Sequence, residues 1–99
     1  MASKEEEEIH QIWMNGYDLL CSANHHGSGL PDHFIKFREN GLDDETIASA
    51  FSVPVEDVNH DIEIYTEAMR LMKHSDELAA SWIAKNGPSP LLEGYDETI

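Results

Sequence analysis

The sequence predicts an all-α domain of about five helices, and three observations predict it. Apolar residues recur at three- and four-residue spacing in successive stretches, cap-type residues stand at the heads of those stretches, and Gly or Pro closes them. No stretch shows the strict apolar-polar alternation of a half-buried strand. A chain of 99 residues with 40% apolar content can bury roughly two-thirds of the surface exposed by its unfolded form, so one core without disulfide staples is expected. The expectation is a single helical domain over residues 1–99, with 87–99 as a flexible tail.

The first helix is expected over residues 3–23. Ser3 with Glu6 forms a capping-box pattern, the Glu5 to Glu8 run lies where the helix dipole tolerates anions, and Ile9, Ile12, Trp13, Gly16, Tyr17 and Leu20 recur at helical spacing. "SANHHGSGLPD", rich in Gly and Ser, predicts a loop. A short helix from Pro31 to Glu39 carries Phe34, Ile35 and Phe37 and stops at Asn40-Gly41. Asp43 caps a third helix whose inward positions are Ile47, Ala48 and Phe51, and "FSVP" makes a tight turn.

From Val55 the apolar positions are Val55, Val58, Ile62, Tyr65, Met69 and Met72, the longest periodic run in the chain. That helix is expected to end near Lys73 and His74, whose charges suit a C-terminus. Ser75 with Asp76 and Glu77 then starts a fifth helix carrying Leu78, Ala79, Trp82 and Ile83, which "NGPSP" terminates. Leu91 and Leu92 can pack the final segment or leave it loose. Trp13 and Trp82 are read as core anchors, and Met69 and Met72 as core packing.

Charge narrows the function. Twenty Asp and Glu against six Lys and Arg give a formal net charge of -14, which repels nucleic acid and anionic membranes and favours a basic partner. The single Cys21 suits a reducing compartment, and no apolar run is long enough for a signal core or a spanning helix, so a soluble cytoplasmic protein is expected.

The stretch "FIKFRENGLDDETIASAFSVPVEDVNHDI" fits the pattern "I..LR..GLS.EEIA..LGVS...V...I". On these positions residues 33–65 resemble the helix-turn-helix superfamily in its three-helix form. The resemblance implies that Ala48 lies where two helices touch, that Ser52 takes the turn position usually held by Gly, and that Val53 and Val58 point inward. Two departures stand out. Ser52 lacks glycine's left-handed freedom, and the helix that would read DNA exposes Glu56, Asp57, Asn59, His60, Asp61 and Glu63. No Lys or Arg occurs between Arg38 and Arg70, whereas DNA affinity rests on cations meeting phosphates.

Three functions compete. The first is a non-enzymatic inhibitor or modulator that presents Asp43, Asp44, Glu45, Glu56, Asp57, Asp61, Glu63 and Glu67 to Lys and Arg of a basic nucleic-acid-binding complex, with Asn59 and His60 adding hydrogen bonds. Duplex DNA carries one charge per ~1.7 Å, so a net charge of -14 stands in for about 24 Å, or roughly seven base pairs. In size, charge and style the chain resembles the anti-defence inhibitors of bacteriophages, including DNA-mimicking anti-CRISPR proteins. That resemblance implies action in the host-cell cytoplasm. The same acids also suit a solvated helix face.

The second is a dimeric helix-turn-helix transcription regulator. The Val55 to Met72 stripe would pair two chains, Asn59 and His60 would read bases, and Lys36, Arg38, Arg70 and Lys73 would hold phosphates. The third is a metal or catalytic site at Cys21, His25, His26 and His33, spaced C-x3-H-H-x6-H. That spacing matches no specific zinc pattern, and a buried free Cys beside polar loop histidines is the expectation preferred here, with no metal and no cofactor.

Overall fold

A computed structural model describes residues 3–93. Its five helices are α1 (Lys4–Ala23), α2 (Leu30–Glu39), α3 (Asp44–Phe51), α4 (Val55–Asn86) and α5 (Pro90–Glu93), and no strand occurs among the described residues. None of these helices is long and apolar enough to cross a membrane.

α4 sets the shape. At about 1.5 Å per residue its 32 residues span roughly 48 Å, and the longest dimension of the molecule is 50 Å, against 22 and 19 Å across. α1 runs antiparallel along it. Ile9 meets Ser75 and Ala79 of α4, Gly16 meets Ala68 and Met72, and the loop after Ala23 reaches Asp61. At the far end from α1's start, α2 and α3 lean on the first turns of α4.

The core is therefore split in two. Phe34, Ile47, Ala48, Val58 and Ile62 form one buried cluster, edged by Leu30, Ile35, Phe37, Phe51 and Val53. Ile9, Ala79 and Leu92 form the other, with Trp13, Leu78, Trp82 and Ile83 half-buried around it. Between them the α1–α4 crossing narrows to small residues. A Cβ on Gly16 would meet Met72 Cγ at 2.7 Å and the Ala68 carbonyl oxygen at 3.0 Å, so only glycine lets the two backbones approach this closely.

The local signals produce the elements they predict. Ser3 and Glu6 make the reciprocal capping box, Asp43 accepts from the Thr46 amide at 2.8 Å, and α2 stops at Asn40 with Gly41 at φ 90°. Gly87, at φ 91°, closes α4.

One boundary differs from expectation. The helix beginning at Val55 does not end near His74. No Gly or Pro interrupts residues 55–86, and the inward spacing continues through Ala68, Met72, Ser75, Ala79 and Trp82. Ser75 is buried and its hydroxyl donates to the Ile9 carbonyl oxygen at 2.9 Å, so it bridges two helices instead of capping a new one. The count of five is restored by α5, in the segment expected to be a flexible tail. Leu92 there is buried against Ile9 and Ala79, while residues 94–99 lie outside the described residues.

The inward stripe also shifts. Val55 and Met69 are exposed, at 43% and 44%, and the small Ala68 takes the inward place expected of Met69. Val58 and Ile62 of the stripe pack into the cluster with Phe34, Ile47 and Ala48, and Met72 faces Gly16 of α1.

α5 is tied down by a polar contact. The Ser89 hydroxyl donates to Glu6, whose carboxylate also accepts from the Ser3 amide. These bonds hold Glu6 below its ordinary value of 4.5, the Ser3 amide contributing most and Ser89 next. A carboxyl lowered by folding stabilises the fold above its unfolded pKa, and that contribution is lost as pH falls through the folded value. Acid titration followed by circular dichroism should therefore show Glu6→Gln already weakened at neutral pH. As pH falls below 4.5 and through the lowered folded value, its stability should approach that of the unsubstituted chain.

Ser52 is the one non-glycine residue with positive φ, at φ 56° and ψ 44°, among the described residues. Left-handed backbone costs an L-residue about 1–2 kcal/mol, part of which glycine gives back through its freer unfolded state. Ser52→Gly should raise unfolding stability by about 0.5–1 kcal/mol, readable as a higher urea midpoint at unchanged slope.

Candidate functional site

The acids singled out in the sequence distribute over α3 and the first half of α4. Glu56, His60, Glu63 and Glu67 are spaced four, three and four residues apart on α4, so they share one helical face, and all four are exposed. That face points away from Val58, Ile62 and Ala68, which are buried. Glu45 on α3 is exposed as well, and neither it nor Glu56 nor His60 has a hydrogen bond or ion pair among the described residues.

The remaining members are partly spent inside the molecule. Asp43 caps α3, and its carboxyl is lowered from 3.8 by the bonds it accepts at Thr46. Asp44 receives a forked pair from Arg38 Nη2, at 2.9 and 2.8 Å, with Arg38 Nε at 3.2 Å. Asn59 sits between charges: it accepts from Arg38 at 3.3 Å and donates to Glu63 at 2.9 Å. Glu67 accepts from Arg70 one turn on, a contact that lowers the Glu67 carboxyl and raises the Arg70 guanidinium. Asp57, half-buried, meets His26 Nε2 at 2.7 Å.

Asp61 does not belong to an exposed surface. It is 1% exposed, and both of its oxygens face His25 Nε2, at 2.9 and 3.1 Å. Its position on α4 turns it inward beside Val58 and Ile62, under the loop that leaves α1. A carboxylate there stays in the fold because an imidazole satisfies it. It cannot present a charge to a partner.

The acidic surface thus reduces to Asp43, Glu45, Glu56 and Glu63, flanked by the paired Asp44, Asp57 and Glu67. Arg38 is the member that sequence spacing missed. Asp44 lies six positions on, across the turn, and only the packing of α2 against α3 and α4 brings the Arg38 guanidinium to Asp44 and Asn59.

The cysteine and histidine group divides. Cys21 is exposed, contrary to the expected buried position, because the inward α1 positions near it fall at Gly16 and Ala23. His33 stacks on Phe51 with ring centroids 6.3 Å apart. His25 and His26 instead turn toward α4, with their rings 4.0 Å apart. Comparison with known proteins finds no match: no family model, no curated protein and no solved structure aligns with the chain.

Proposed function

We propose that the chain is a non-enzymatic acidic binding protein of the cytoplasm that inhibits or modulates a basic, nucleic-acid-binding protein complex. The observation that carries this is the outer face of α4, where Glu56, Glu63 and Glu67 line up with His60 on a rigid helix and Glu45 stands nearby on α3. A helix face held by a buried core presents its carboxylates in fixed positions, which favours electrostatic complementarity over diffuse repulsion.

The alternative, a dimeric helix-turn-helix regulator, gains support from the α2–α3–α4 packing and from the left-handed Ser52 in the turn. It loses support on charge. Of the cations nominated for phosphates, Lys36 pairs with Asp32, Arg38 with Asp44 and Arg70 with Glu67. Phosphate binding would have to break those pairs beside further carboxylates.

Imitation of a duplex is the finer form of the proposal, and the shape limits it. Eighteen of the twenty acids and all six Lys and Arg lie within residues 3–93, a net charge of -12 over a 50 Å length. That is one charge per roughly 4 Å, less than half the density of a duplex at ~1.7 Å. The stronger form is therefore recognition of a basic protein surface by a local acidic face, in the style of the small phage inhibitors.

Affinity capture on the immobilised protein, from the cells in which it occurs, tests the proposal beside a titration with random duplex DNA. A nucleic-acid-binding protein should be retained at low salt and released as salt rises. Saturable binding of the free protein to the duplex at or below about 10⁻⁴ M, the range of ordinary nonspecific binders, would sink the proposal.

A further inference from the structure

The loop after α1 and the second turn of α4 bring together a ligand set that spacing along the chain does not reveal. His25, His26 and Asp61 each place one donor atom within 4.8 Å of the other two. We propose that these three residues bind a divalent transition metal, with zinc as the ion that fits best.

The donor types come first. Two imidazoles and one carboxylate are a borderline set that suits zinc and its neighbours, whereas magnesium and calcium prefer all-oxygen shells. Three protein ligands leave a fourth position for water. Bonds of about 2.0–2.2 Å in a tetrahedron put ligand atoms roughly 3.4 Å apart, so the farthest donors must close by about 1.4 Å. The closest approach is already shorter, with His25 Nε2 at 2.9 and 3.1 Å from the two Asp61 oxygens.

The burial pattern points the same way. Asp61 is 1% exposed, and the nitrogen that meets both of its oxygens belongs to His25, so the buried carboxylate already faces another member of the donor set. The histidine side chains are 46% and 27% exposed, so they can rotate to close on an ion while Asp61 stays fixed by the helix. His26 Nε2 lies 2.7 Å from Asp57 Oδ2. A carboxylate holding one nitrogen of an imidazole is the usual support behind a metal-bound histidine. The bound ion would clasp the loop at residues 24–29 to α4, one turn from Asp57 and the acidic face.

Untagged, chelator-treated protein titrated with ZnCl₂ by calorimetry, and with Co²⁺ by its visible d–d bands, tests the site. One equivalent should bind, and zinc at a hundred times its Kd should raise Tm by roughly 10 °C or more. The paired substitution of His25→Gln with His26→Gln, both at exposed side chains, should weaken binding at least tenfold with helicity kept. His33→Gln should bind as the unsubstituted chain does. Absence of saturable binding up to about 1 mM zinc, or the same Kd in the paired variant, would overturn the proposal.

Discussion

Phe34→Ala is expected to cost about 3–5 kcal/mol of unfolding stability, a large share of the 5–15 kcal/mol typical of a domain. Phe34 is fully buried and is the large apolar side chain that α2 contributes to the cluster of Ile47, Ala48, Val58 and Ile62. Its ring also meets Phe51 edge-on, with centroids 5.3 Å apart. Removing it empties the centre of the three-helix end, where α2, α3 and the head of α4 hold one another. Urea unfolding should show the loss. A cost below about 1 kcal/mol would mean that this end does not pack as described.

Gly16→Val is expected to cost about 2–3 kcal/mol and to lower Tm by roughly 10 °C or more. The first added carbon already crowds Met72 Cγ and the Ala68 carbonyl, and the branched methyls have Leu71 Cβ at 3.2 Å from that same carbon. Better helix propensity returns less than about 1 kcal/mol. The two helices must separate at their waist, which also strains the Ser75 to Ile9 bond farther along. Gly16→Ala should fall between, since its propensity gain offsets part of a smaller clash. A valine variant as stable as the parent would place α1 farther from α4 than described.

These two sites show what was legible in the sequence. Phe34 could be named as core because its helix is short, amphipathic and bounded by visible signals, Pro31 at one end and Asn40-Gly41 at the other. The caps at Ser3 and Asp43 were readable for the same reason: their partners lie three residues away. Gly16 was visible on the apolar face of α1, but its partner surface at Ala68 and Met72 was not.

Long-range contacts account for the misreadings. Ser75 before two acids has the look of an N-cap, yet its hydroxyl bonds to a residue 66 positions earlier. Asp61 stands among exposed acids in the sequence, and only its contact with His25, 36 positions away, shows that it is buried. The same contact replaces the Cys21 and His33 of the sequence pattern by Asp61. Met69 yields its inward place to Ala68 because the α1–α4 crossing selects for small size, a preference that apolar periodicity does not register.

The acids grouped by sequence position divide in the structure by exposure and by pairing. What packing changed is its membership. Asp61 leaves it, Arg38 enters to neutralise Asp44, and the unpaired charge concentrates on Glu45, Glu56 and Glu63. On the proposed reading, these three are the carboxylates open to Lys and Arg of a partner.

The most direct measurement is the equilibrium affinity of the captured partner for the triple variant Glu45→Lys, Glu56→Lys and Glu63→Lys, compared with the unsubstituted chain at several salt concentrations. None of the three is buried, so the fold should survive, and helicity checks it. The predicted result is binding weakened by about 100-fold or more, with a flatter dependence on salt. Equal affinity and equal salt dependence in the two proteins would contradict recognition through the acidic face of α3 and α4.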